Sequence, residues 1–158
     1  SEDNRHYSVQ VVLSIVAVPL LVLGPPWEYA SFAGPIPRDG PLALMGLVLF
    51  AAGIVLQTWA MWELHGLYTT RLGIQPEHRL VTSGPYRRVR HPGYLSNILS
   101  LGGIGLTLSS LIALAMAVLL VPFLLSRMKT EEQMLIDQFG DEYRAYIRRT
   151  RRMVPFVY

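Results

Sequence analysis

Three long stretches without a charged residue constrain this 158-residue chain more than any other feature of its sequence. They run from Tyr7 to Trp27, from Gly40 to Trp62 and from Pro92 to Ser126. A segment of about 20 apolar residues is long enough to cross a bilayer core of about 30 Å. Only 16% of the residues are charged, against about 25% in a soluble domain. The sequence therefore predicts a membrane protein and disfavours a soluble enzyme, a coiled coil or a disordered tail.

The third stretch is too long for a single crossing, because as one helix it would form a rod of about 50 Å. The polar residues Thr107, Ser109 and Ser110 interrupt it and predict a tight turn between two helices. We expect an all-α, integral membrane helical bundle that forms one domain over residues 1–158. Its four transmembrane helices are expected at residues 8–26, 41–62, 94–106 and 111–127.

A cleaved signal peptide is the alternative interpretation of the first stretch, since a short basic start before an apolar run is typical of such leaders. The apolar run is longer than a usual signal core, and Glu2 and Asp3 offset Arg5. No small-residue cleavage site precedes a soluble domain. We therefore expect a transmembrane helix here.

The basic residues are distributed on one side of the expected membrane. With four spans, the N-terminus, residues 63–91 and the tail after Ser126 share a side, and of the 14 lysines and arginines all but Arg38 lie there. By the positive-inside rule, that side is cytoplasmic. The net charge of +3 is thus explained by orientation and by contact with membrane lipids, and no nucleic acid is expected as a partner.

Several sharper motifs are absent or weak. The chain has no cysteine, which argues against thiolate chemistry, and no HExxH, which argues against a local zinc site. It also lacks GxSxG, the strongest sequence motif of a hydrolase. His65, His78 and His91 are too far apart for a local helical metal motif, so we expect no metal. Gly102, Gly103 and Gly105 lie inside an apolar span, where close helix packing is the favoured role.

The cytoplasmic segments carry the residues suited to chemistry. Residues 63–94 are rich in His, Arg, Tyr, Gly and Pro, a composition that suits a backbone wrapped around a ligand. A solvated loop with snorkelling arginines is the simpler alternative. The tail has apolar residues at helical spacing and predicts an amphipathic helix that is interrupted near Gly140. Arg127 and Glu131 lie one turn apart, so both can point to one spot where the fourth helix leaves the bilayer.

Two blocks resemble a known family. HRLVTSGPYRRVRHPGYLS at residues 78–96 and TEEQMLIDQFGDEYRAYIRRTRRMVP at residues 130–155 look like the isoprenylcysteine carboxyl methyltransferase family. The resemblance implies an integral membrane enzyme that transfers a methyl group from S-adenosylmethionine to the carboxylate of a prenylated cysteine or a similar lipophilic substrate. Such a substrate would reach the site from the bilayer.

The resemblance also implies roles for individual residues, in a cofactor site formed by residues 71–94 and 127–155. Arg127 and Glu131 take the catalytic positions, with Arg127 engaging the substrate carboxylate and Glu131 holding the cofactor. Arg71 is a weaker candidate, because few matching residues precede His78. The remaining positions that would contact the cofactor are His78, Arg79, Leu80, Val81, Tyr86, His91, Pro92, Gly93 and Tyr94.

Three alternatives remain open on the sequence alone. Relatives with the same C-terminal pattern methylate phospholipid amines or small thiols, so an N- or S-methyltransferase is the first. A looser version of the pattern occurs in membrane sterol reductases, which would require NADPH. The basic amphipathic tail is also compatible with a non-catalytic membrane adapter.

Overall fold

The computed structural model describes residues 19–20, 22–32, 37–64 and 80–153. The regular elements in these ranges are helices, which confirms the predicted all-α class. A first helix, α1, covers residues 22–31. The others are α2 (Pro41–Glu63), a 3-10 turn (Gly84–Arg87), α3 (Pro92–Thr107), α4 (Leu111–Phe139) and α5 (Asp141–Arg149).

Within the described ranges, two helices are long and apolar enough to cross a membrane. They are α2, with 23 residues, and α4, with 29. Only 17% of the most apolar window of α2 and 22% of that of α4 is buried, whereas the core helix of a soluble protein would be mostly buried. α3 has 16 residues, fewer than the roughly 20 of a typical span. The expected span at 8–26 lies largely outside the described residues, so four spans remain a prediction.

The helix boundaries follow the sequence pattern closely, with one difference. The expected turn is confirmed, since α3 ends at Thr107, α4 begins at Leu111, and Ser109 has a φ of 53°. α4 continues past the expected boundary at Arg127 as far as Phe139. Good helix formers follow Arg127, and side chains one turn apart are hydrogen-bonded, which extends the helix beyond its apolar part. The predicted interruption near Gly140 is confirmed by its φ of 54°.

Internal contacts divide the chain into two units. The first contains residues 1–50 and 101–118. Within it, the Glu28 carboxylate accepts hydrogen bonds from the Ser110 hydroxyl and, at 3.2 Å, from the Ile112 backbone nitrogen at the start of α4. A carboxylate at this end of a helix satisfies free N–H groups and favours the helix dipole.

Small residues bring α2 and α3 close together in the first unit. A methyl group on Gly103 would lie 2.5 Å from the Phe50 nitrogen and 2.7 Å from the Gly46 oxygen, both backbone atoms. A methyl group on Gly46 would similarly meet the backbone of Thr107. A methyl group on Gly105 would meet Leu114 of α4, so the expected role in close helix packing is confirmed for Gly103 and Gly105. It is wrong for Gly102, where a methyl group would meet nothing within 4 Å.

The second unit contains residues 51–100 and 119–158. Its apolar core is formed by Leu124 and Met128 of α4 together with Met153 of the tail. Tyr94 and Leu95 of α3 pack against this core. The start of α3, the polar end of α4 and the C-terminal tail are therefore held next to one another, and this arrangement positions the candidate site.

The glycine packing gives a direct test with a neighbouring control. Gly103→Ala should destabilise the protein by about 1–3 kcal/mol, because backbone atoms of α2 would have to move. Gly102→Ala should be neutral or stabilise by about 1 kcal/mol, since its methyl group would meet nothing within 4 Å and alanine favours helices. Thermal unfolding in detergent measures both. Equal melting temperatures for the two variants would contradict the close approach.

Candidate active site

The C-terminal tail lies alongside residues 88–91, just before and at the start of α3. Val89 and Arg151 form a parallel β-bridge. The Arg90 nitrogen donates to the Arg151 oxygen at 2.8 Å, and the His91 nitrogen donates to the Arg152 oxygen at 3.0 Å. These backbone hydrogen bonds fix the sequence RHPGY against the tail.

Glu132 of α4 is the most buried carboxylate at this junction, with a side chain that is 7% exposed. One of its oxygens accepts a hydrogen bond from Arg90 Nε at 2.8 Å. The other accepts from Arg152 Nε at 3.0 Å and Nη2 at 2.7 Å. Arg90 also donates to the Thr150 carbonyl at 2.8 Å. Glu132 therefore joins three segments of the chain through charge-assisted hydrogen bonds.

Glu132 lies beyond the apolar part of α4, and its surroundings favour the ionised form. Burial alone would raise the pKa of this carboxyl group. The nearby His91 ring and the hydrogen bonds from Arg152 and Arg90 outweigh burial and hold the pKa well below its usual value. Glu132 is thus a carboxylate at neutral pH, which allows it to form charge-assisted hydrogen bonds with both guanidinium groups.

Tyr94, Arg127 and Glu131 form a second polar group. Arg127 Nε donates to the Tyr94 hydroxyl oxygen at 2.8 Å and to Glu131 Oε1 at 3.1 Å, and the Tyr94 hydroxyl donates to Glu131. The side chains of Arg127 and Glu131 are 18% and 24% exposed. Both are therefore more accessible than Glu132, and both are oriented by their neighbours, as a ligand-binding group must be.

His91 lies between the two polar groups. Its Nδ1 is 3.6 Å from Glu131 Oε2, and its Nε2 is 3.4 Å from Glu132 Oε1. Its ring stacks on that of Tyr94, with centroids 5.5 Å apart. Hydrogen-bonded side chains and this stacked pair thus form one continuous polar cluster at the start of α3 and the polar end of α4.

The structure brings together four of the residues singled out from the sequence, namely His91, Tyr94, Arg127 and Glu131. The expected spatial pairing of Arg127 with Glu131 is confirmed. The roles of these four residues stay predictions at this point.

The other predicted cofactor positions have different surroundings. Pro92 and Gly93 form the first residues of α3, and Leu80 and Val81 are half-buried. Tyr86 lies in the 3-10 turn, where its carbonyl accepts a hydrogen bond from the Tyr146 hydroxyl at 2.6 Å. His78, Arg79 and the weaker candidate Arg71 lie outside the described residues.

Sequence reasoning missed the residues that hold this cluster in place. Arg90 and Arg152 were counted only as orienting charges, and Glu132 was not separated from Glu131. The sequence does contain one indication of these residues: Glu132 directly follows Glu131, and Arg90 directly precedes His91. Tyr143 and Tyr146 of α5 are also buried here, and burial raises the pKa of both phenols, so they remain neutral.

The sequence of the chain is similar to those of known proteins. Residues 44–137 match the isoprenylcysteine carboxyl methyltransferase family. The chain is 28% identical over 157 residues to protein-S-isoprenylcysteine O-methyltransferase B of Arabidopsis thaliana, a match that covers 98% of this chain and 76% of that protein. It is 30% identical over 119 residues to the probable protein-S-isoprenylcysteine O-methyltransferase of Oryza sativa subsp. indica, which covers 73% of this chain and 62% of the relative.

The fold is also similar to that of a solved structure. That protein is a eukaryotic intramembrane Ras methyltransferase, an isoprenylcysteine carboxyl methyltransferase, and the TM-score is 0.67 at 23% identity. The match covers 97% of this chain and 53% of the other, so this chain spans about half the length of that protein.

The fold and the site define an all-helical protein in which apolar helices of membrane length lead into a cluster of carboxylates and guanidinium groups. The chain belongs to the isoprenylcysteine carboxyl methyltransferase family. The family expected from the sequence is confirmed, and so is the expected class of enzyme, a methyltransferase.

The two neighbouring glutamates should differ in their contribution to stability. Glu132→Gln removes a charge that is buried between two arginines, and breaking such a group typically costs about 3–5 kcal/mol. Glu131→Gln should cost about 1 kcal/mol or less, because Glu131 is more exposed and its arginine keeps access to solvent. Thermal unfolding in detergent checks the difference. Equal destabilisation by both substitutions would count against the central position of Glu132.

Proposed function

We propose that this chain is an integral membrane methyltransferase that transfers the methyl group of S-adenosylmethionine to the carboxylate of a prenylated cysteine or a similar lipophilic acid. The observation that supports this most directly is the group formed by Tyr94, Arg127 and Glu131. It places a partly exposed cation and a partly exposed carboxylate side by side at the end of an apolar helix. A charged substrate with an apolar tail requires both environments together.

The chemistry of the donor set fits S-adenosylmethionine. Glu131 Oε1 accepts hydrogen bonds from Arg127 and Tyr94, whereas Oε2 has a longer contact, 3.6 Å, to His91. Oε2 can therefore accept further hydrogen bonds from an ammonium group or from ribose hydroxyls. We infer that His78, Arg79, Leu80, Val81, Tyr86 and residues 91–94 form the rest of this binding site, with aromatic and proline rings against the adenine.

The reaction itself needs little from the protein beyond position and charge. When bound, the sulfonium cofactor would supply an electrophilic methyl group to a substrate carboxylate oxygen, and the electron pair of the broken S–CH₃ bond would stay on sulfur. No proton has to leave the carboxylate, so no general base is proposed. The role of Arg127 is to hold the carboxylate in line, which its planar guanidinium group can do through two parallel hydrogen bonds.

The membrane arrangement in this proposal keeps four spans, with the cluster on the cytoplasmic side. Support for the orientation comes from the arginines that follow α2 and α4, since 13 of the 14 basic residues would share that side. The substrate tail would then approach from the bilayer while its carboxylate meets Arg127. The arginine also argues against an amine acceptor, because a cation beside a developing positive charge is unfavourable.

Cofactor binding tests the role of Glu131. Glu131→Ala should weaken binding of S-adenosylhomocysteine to the detergent-solubilised protein by at least tenfold, because a charge-assisted hydrogen bond contributes about 1.5–3 kcal/mol. Isothermal titration calorimetry measures the change. Glu142→Ala is the matched control, since Glu142 is exposed in the first turn of α5. Unchanged binding in Glu131→Ala would remove Glu131 from the cofactor site, and stabilisation by NADPH instead would favour a reductase.

Turnover tests the role of Arg127. Arg127→Ala should retain S-adenosylhomocysteine binding within a few fold and lose methyl transfer by about 100-fold or more, because the substrate carboxylate would lack its fixed cation. Transfer of labelled methyl groups to a farnesylated cysteine measures this loss, and a panel with phospholipid and thiol acceptors checks the substrate class. Arg144→Ala serves as a control, since Arg144 pairs only with the exposed Asp141 among the described residues. Full activity of Arg127→Ala would refute the assignment.

A further inference from the structure

A groove on the same unit of the chain borders the proposed cofactor site, with which it shares Pro92, and neither Glu131 nor Glu132 lines it. The groove has a volume of about 550 Å³, which falls in the range of about 300–1,000 Å³ typical of small-molecule sites. The end of α2, the 3-10 turn and the start of α3 line it, and all of its lining residues are apolar except two arginines. The residues used below are Leu56, Trp59, Pro85, Arg87, Arg88 and Leu95.

The two arginines of this groove differ from those of the cluster. Arg90, Arg127 and Arg152 each contact a glutamate. The side chains of Arg87 and Arg88 are exposed, and neither forms an ion pair with any residue in the part of the chain that the structure describes. Glu63 lies nearby against Gly84 and does not pair with them. The groove therefore combines apolar walls with two cations that have no carboxylate partner there.

The position of the groove along α2 indicates its depth in a membrane. α2 has no charged residue before Glu63, its last residue. Trp59 and Trp62, in its last turns, are 52% and 74% exposed. Tryptophan is enriched at the level of the lipid headgroups, where its ring lies between hydrocarbon and water. Trp59 lines the groove, so the groove opens at headgroup depth with Leu56 and Leu95 on its apolar walls.

We propose that this groove binds an anionic phospholipid, with the phosphate near Arg87 and Arg88 and part of an acyl chain against Leu56, Trp59, Pro85 and Leu95. Charge complementarity selects the headgroup, because a zwitterionic lipid would neutralise the arginines less well. The apolar walls select a lipid over a soluble anion such as inorganic phosphate, which would leave them in contact with water. This assignment does not depend on methyl transfer.

Tryptophan fluorescence can test the site through Trp59. The chain has three tryptophans, so Trp27→Phe with Trp62→Phe leaves Trp59 as the only reporter. The protein is reconstituted in phosphatidylcholine vesicles containing a small fraction of brominated phosphatidylglycerol or, in parallel, brominated phosphatidylcholine. We expect the apparent affinity for the quencher to be about tenfold higher with phosphatidylglycerol, since each nearby arginine strengthens attraction of an anionic lipid several-fold. Native mass spectrometry of the chain with all tryptophans intact should show the same preference among retained lipids.

A pair of double variants separates this site from a general effect of positive charge. Arg87→Gln with Arg88→Gln should abolish the preference for phosphatidylglycerol. Arg148→Gln with Arg149→Gln removes the same charge from exposed positions of α5 and should retain it. Equal quenching by both lipids, or a preference that survives Arg87→Gln with Arg88→Gln, overturns the proposal. Relief of quenching by a farnesylated cysteine would assign the groove to the methyl acceptor and would also overturn it.

Discussion

The buried carboxylate of Glu132, between Arg90 and Arg152, is the interaction on which the rest of the second unit depends. Burying three charged groups costs several kcal/mol of desolvation for each ion, and this cost is recovered only with good geometry and further hydrogen bonds. Here both conditions hold, because each carboxylate oxygen has its own guanidinium partner and Arg90 also donates to the Thr150 carbonyl. These contacts hold residues 150–152 of the tail against the start of α3 in the observed register.

This arrangement explains how two consecutive glutamates have different surroundings. Neighbouring positions on a helix point about 100° apart, so Glu131 and Glu132 have different arginine partners. Glu132 faces the tail and is 7% exposed, whereas Glu131 faces Tyr94 and Arg127 and is 24% exposed. His91 contacts both carboxylates. The group of Glu132, Arg90 and Arg152 and the group proposed to bind ligands thus use different carboxylates, and His91 lies between them.

The sequence predicted the parts of the structure that depend on local pattern. The absence of charge located α2 and the apolar part of α4, the polar residues near Ser109 located the turn, and a spacing of four residues paired Arg127 with Glu131. It did not predict Glu132 as the central carboxylate. A sequence does not distinguish an arginine that is buried against a carboxylate from an arginine that faces lipid headgroups, so the partners of Glu132 were not evident. Their difference arises from contacts between residues that are distant in the chain, such as Arg90 and Thr150. His78 and Arg79 stay predictions, since they lie outside the described residues.

The arginines near the ends of the apolar helices share a sign and yet face different physical environments. Arg90 and Arg152 share the buried carboxylate of Glu132, which offsets part of their positive charge. Arg127 is held by Glu131 and Tyr94 but keeps part of its surface accessible, which suits a ligand that arrives with a negative charge. Arg87 and Arg88 are exposed beside apolar walls. A one-sided excess of positive charge is sufficient to orient a membrane protein. It does not require that any arginine be buried, so the cost of burying Arg90 points to a role beyond orientation.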